Sequence, residues 1–124
     1  MYEAPPKTFS ELIEPFGAEI RAVAEWLRAL LTEEFPQLEE RIYGGSKIAN
    51  ALYNIGEPDR VALGIQPTAR CVKLFVHDPQ HLPATGFKLE GKGKHMRHIK
   101  LTSVPEDRRD ELIELVRVPV DRRS

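Results

Sequence analysis

Between Glu90 and Lys100 the chain reads EGKGKHMRHIK, and that run holds the densest set of side chains suited to binding chemistry. Lys92, Lys94, His95, Arg97, His98 and Lys100 follow Glu90 without another acid. Gly91 and Gly93 are free to take positive φ, which lets successive backbone N–H groups point into one concavity and cradle an anion. Lys92 and Lys94 would add charge, and the Arg97 guanidinium is shaped to grip a phosphate or carboxylate with two parallel hydrogen bonds. On this reading Gly91, Lys92, Gly93, Lys94, Arg97, His98 and Lys100 bind a small anionic molecule or an anionic group on a partner protein. A structural reading competes with it. There the glycines only turn the chain, and Arg97 and His98 tie a strand to its neighbours.

Other chemistries fit the same residues less well. From Gly86 to Lys92 the spacing is Gly-x-x-x-x-Gly-Lys, but Gly93 stands where a nucleoside-triphosphate loop needs a Ser or Thr hydroxyl for magnesium. A strand pattern follows instead of a helix. Nucleic acid is disfavoured because no aromatic residue sits among the basic ones to stack a base, and the pI is about 6.4. His77, His81, His95, His98 and Cys71 do not have zinc-site spacing. No serine has a nucleophile-elbow context, and Cys71 opens an apolar strand. The expectation is a binding protein without catalytic activity or a resident cofactor.

The net charge of −1 hides an uneven distribution. Residues 1–40 carry nine acids against three bases, and residues 70–104 carry seven bases against two acids. Glu33, Glu34, Glu39 and Glu40 could form an acidic ridge where a helix gives way to the next element. Carboxylates suit hard cations, so iron is the alternative ligand. A solvated helix face is the plainer account of the same residues.

The elements that must position these groups follow from periodicity. In FGAEIRAVAEWLRALLTEEFP, Ile20, Val23, Ala24, Leu27, Leu30 and Leu31 recur at helical spacing until Pro36. Thr8 or Ser10 can cap a shorter helix before it. Period-two patterns then predict strands at 40–45, 47–56, 60–66, 71–78 and 97–101, with a hairpin connection at 66–71. Ile99 and Leu101 share a strand face with Arg97, while His98 and Lys100 share the other. Pro105, Glu106 and Asp107 open a last helix that runs to Pro119, leaving 119–124 as a frayed tail. Strands in succession flanked by helices predict an α+β two-layer sandwich, an antiparallel sheet covered by N- and C-terminal helices. At 124 residues this is a single domain. One cysteine, no signal-peptide pattern and no apolar run long enough for a bilayer predict a cytoplasmic protein with no membrane contact.

The segment LEGKGKHMRHIKL (89–101), after a strand such as CVKLFVHD and before a helix, resembles the signature of the YdhG-like family of bacterial proteins, a domain of unknown function. Gly91, Gly93, Lys94, Met96, Arg97, His98, Ile99 and Lys100 carry that resemblance, which would extend over about residues 16–118. It implies a frataxin-like sandwich and, for the alternative function, an intracellular iron chaperone. The chain departs from the family pattern near the first strand, where it has IYGGSK, and at PTAR, where Arg70 stands in for a basic residue.

Overall fold

The computed structural model describes residues 2–124. Thr8 Oγ1 accepts the Glu11 N–H at 3.1 Å and so caps helix α1 (Phe9–Ile13). Helix α2 (Ala18–Glu34) buries the stripe that the spacing marks out, from Ile20 to Leu31. Five strands follow: β1 (Glu39–Gly44), β2 (Ala49–Asn54), β3 (Val61–Pro67), β4 (Val72–His77) and β5 (Met96–Leu101). They pair antiparallel in sequence order. Thr68 closes the β3–β4 hairpin, its N–H reaching Cys71 O at 2.8 Å and its Oγ1 accepting the Cys71 N–H at 3.0 Å.

Strand alternation sorts the sheet into two faces. Leu63, Ile65, Leu74, Val76 and Ile99 lie on one face, fully enclosed against Leu12, Leu27, Leu112 and Leu115 of the helices. The α+β two-layer sandwich is therefore the fold, with the N- and C-terminal helices covering one face of the sheet. No helix among the described residues is long and apolar enough to cross a membrane.

The end of the last helix differs from the sequence reading. Helix α3 (Arg109–Arg123), entered through a 3-10 turn at Glu106–Arg108, does not stop at Pro119, and residues 119–124 are not frayed. Pro119 cannot donate to the Leu115 carbonyl, a loss that normally breaks a helix. Here Pro119 and Val120 are both buried in the core, and Arg123 is fastened to the sheet. Packing overrides propensity.

The β4–β5 connection spans residues 78–95, close to the length that the expected strand bounds leave between them, and is held by tertiary contacts. Phe87 is buried beneath the Arg108 guanidinium, 3.7 Å from its ring centroid. Glu111 accepts from Thr85 Oγ1 at 2.9 Å, from Arg108 Nε at 3.0 Å and from the Gly86 N–H. These donors, the Gly86 amide first, hold the Glu111 carboxyl below its usual range. At the end of the connection Glu90 and His98 exchange two backbone hydrogen bonds of 2.7 and 3.0 Å, which adds a one-residue sixth strand to the sheet edge.

Candidate anion-binding face

The glycine loop meets the backbone condition that its sequence suggests at one glycine of the two. Gly91 takes a φ of +105°, but Gly93 has no positive φ. Instead a Cβ on Gly93 would lie 2.6 Å from the Met96 carbonyl oxygen, so the second glycine serves a close backbone approach. Lys92, Lys94 and His95 are exposed. Among the described residues, the amides of residues 91–95 donate to no backbone carbonyl. Arg97 turns its Nε toward Gly93 O at 3.4 Å, on the helix-covered side of the sheet shared by Ile99 and Leu101. His98 and Lys100 lie on the opposite side. The seven residues therefore do not converge on one point.

What the structure does bring together lies on the open face of the sheet, where no helix packs. Because Glu90 uses the outward N–H and C=O of His98, the pairs Phe75–His98 and Lys73–Lys100 occupy non-hydrogen-bonded positions across β4 and β5. Those are the positions at which opposed side chains come closest. Lys73 and Lys100 are thus directly opposed across the strand pair. One carboxylate answers them, Glu90 Oε1 at 3.6 Å from Lys100 Nζ. Like charges directly opposed across a sheet are destabilising, and this pair is left without full compensation.

His98 sits beside the pair, its ring 5.1 Å from Phe75 between centroids. Burial first, then the Lys73 and Lys100 charges, push its pKa below 6.5, with Glu90 opposing. His77, on the same face, is also lowered, by burial and then by Arg123. Both imidazoles therefore favour the neutral form more than a free histidine does. The unfolded chain takes up these protons first, so they stabilise the fold above about pH 6.5 and less as pH falls toward the folded-state values. Replacing both by Gln should flatten the fall in thermal midpoint between pH 7 and 5.5. An unchanged slope would mean that neither ring is depressed in solution.

A shallow depression of about 300 Å³ adjoins the patch, lined among others by Lys88, Lys100, Thr102, Ser103 and Arg108. A larger hollow of about 660 Å³ lies beneath the N-terminal segment, but Glu3, Glu11 and Glu14 line it and would repel an anion. Lys73 and Phe75 lie outside the 90–100 run that the sequence marks out. Their signal was available as the alternation in CVKLFVHD, but the pairing register with β5 was needed to give it meaning.

The four carboxylates proposed for a cation do not fit one. Glu33 and Glu34 both hold Arg109, at 3.4 and 3.1 Å. Glu40 lies on the helix-covered face of β1, where Arg28 grips it through Nε at 2.9 Å and Nη2 at 2.8 Å, and Tyr53 Oη donates at 2.7 Å. Glu39, the next residue along the strand, points to the open face. Among the described residues no three His, Cys, Asp or Glu side chains are grouped to hold a metal ion. Cys71 is buried, with Sγ 3.4 Å from Thr68 Oγ1.

Comparison of the chain with family models, with curated proteins and with solved structures returned no match.

Proposed function

We propose that the protein is a non-enzymatic binding module for a phosphate-bearing ligand. Its centre is the Lys73–Lys100 pair with His98, and the exposed Gly91, Lys92, Gly93 and Lys94 form the rim. The observation that carries this reading is the direct opposition of two lysines on a face that no helix covers. Such a pair costs about 0.2–1 kcal/mol in the free protein, and a bound oxyanion would relieve that repulsion. His98, biased toward its neutral form when the site is free, gains a second donor if the ligand's charge draws a proton onto it.

Titration with pyrophosphate, followed through the His98 ring resonances, tests the reading. The His98 pKa should rise on binding. The double variant Lys73→Ala with Lys100→Ala should weaken binding at least about tenfold, the loss of two charge-assisted contacts. Lys92→Ala with Lys94→Ala should weaken it less, because those side chains are solvated. The first double variant should also be no less stable than the parent to heat. Pyrophosphate affinity that survives the loss of Lys73 and Lys100 would overturn the assignment.

A further inference from the structure

The strand register also brings the binding chemistry together with something the sequence order concealed, an aromatic partner. Along residues 90–100 no aromatic side chain interrupts the basic ones. Across the sheet, however, Phe75 stands opposite His98, one pair along from Lys73 and Lys100. Both rings are half-buried, so each is held in place by its strand and still presents surface to solvent. The row continues from His98 and Phe75 through Gly64 and Leu52 to Arg41 at the far edge. The parallel row runs from Lys100 and Lys73 to Gln66. On β1 and β2, Tyr43 faces Asn50, with Arg41 stacked 5.5 Å from the Tyr43 ring centroid.

We infer that the open face is a platform for single-stranded nucleic acid, with a base stacked on Phe75 and His98 and the adjoining phosphate on Lys73 and Lys100. This rests on the anion-binding reading and names its ligand. A base offers a flat π-face that any aromatic can stack, and a backbone phosphate offers the charge that the lysine pair lacks. Four inter-strand gaps give the face a width of about 19 Å, room for a strand to run from the lysine pair toward Arg41 and Tyr43. The near-neutral pI is a sum over the whole chain; residues 70–104, which supply β4 and β5, carry seven bases against two acids.

Fluorescence anisotropy with a labelled oligothymidine tests the inference, with unlabelled tripolyphosphate and thymidine monophosphate as competitors. The oligonucleotide should bind more tightly than either competitor. Phe75→Ala should weaken oligonucleotide binding about tenfold, the loss of one base stack, while leaving tripolyphosphate affinity unchanged. Phe75→Tyr, which keeps the ring and guards against loss of folding, should restore binding. Lys73→Ala with Lys100→Ala should weaken both ligands and reduce the dependence of log affinity on log salt by about one to two. If tripolyphosphate binds at the lysine pair and the oligonucleotide gains nothing over it, or Phe75→Ala leaves oligonucleotide binding intact, the base platform is wrong while the anion site stands. If monophosphate competes as well as the oligonucleotide binds, the ligand is a free nucleotide and the single-strand inference is overturned. If neither polyanion binds, both readings fall.

Discussion

Glu40→Ala should destabilise the protein by about 2–4 kcal/mol, more than removal of a surface carboxylate warrants. The Glu40 side chain keeps 23% of its exposure, and among the described residues it is the one acceptor for Tyr53 Oη, whose residue is 3% exposed. Without Glu40 that hydroxyl is stranded in the core with its desolvation uncompensated, a cost of about 1–3 kcal/mol. The bidentate Arg28 contact disappears as well, leaving the guanidinium only its stacking on Phe9 at 4.7 Å. Tyr53 keeps its proton throughout, since burial and the Glu40 bond both push its pKa far upward. A urea-denaturation cycle with Tyr53→Phe isolates the pairing. Glu40→Ala should cost about 1 kcal/mol less in the phenylalanine background, because no hydroxyl remains to be orphaned. A loss below about 0.5 kcal/mol for Glu40→Ala alone would show that the network is loose in solution and would return Glu40 to the pool of free acids.

The same residue shows where the sequence is and is not legible. Glu40 and Glu39 are adjacent acids, and nothing in their spacing distinguishes them. A strand sends one to each face, and only the position of Tyr53 on β2 and Arg28 on α2 decides that Glu40 is consumed internally. The helix of residues 18–34 and the strand alternation are readable because each depends on a local period against one apolar layer. Ile99 and Leu101 inward, His98 and Lys100 outward, followed from that period alone. What strand periodicity cannot supply is register. Phe75 and His98 are separated by the whole of the 78–95 connection, whose anchors, Phe87 under Arg108 and Gly86 on Glu111, are tertiary. Shifting β5 by one residue would move every one of its side chains to the other face, so the lysine pair is a property of the fold and not of any segment.

Register also explains why the glycine loop misleads. Gly-Lys-Gly-Lys reads as a phosphate cradle because such cradles are local. Here the run returns the chain from Glu90 to Met96, with Gly91 taking the left-handed turn and Gly93 allowing the close approach to the Met96 carbonyl. The opposed lysines lie on the strands instead, Lys100 on β5 and Lys73 on β4.

Arg123→Ala should cost about 2–4 kcal/mol, whereas Arg122→Ala should stay within about 0.5 kcal/mol. Adjacent arginines in the last turn of α3 differ this much because only one is built into the sheet. Arg123 Nε donates to Val61 O at 2.7 Å at the start of β3, and Nη1 donates to Asp78 Oδ2 at 2.6 Å at the end of β4. Its own carbonyl accepts from Arg60 Nη2. Arg122 reaches the same Asp78 oxygen only at 3.6 Å, with its side chain 46% exposed. Loss of Arg123 leaves the Asp78 carboxylate, 15% exposed, with that weak partner alone. It also leaves Asp78 in a left-handed conformation (φ 57°) that the ion pair had helped to hold. Arg123→Lys keeps the charge but not the planar fork, so it should recover less than half of the loss. A second readout separates this anchor from a general weakening of the helix. Arg123 lowers the His77 pKa through its charge, so Arg123→Ala should move the His77 titration upward while Arg122→Ala leaves it in place. Thermal melts in which the two alanine variants are indistinguishable, with His77 unmoved in both, would mean that the final turn is not docked. The continuation of α3 through Pro119 would then have no tether to account for it.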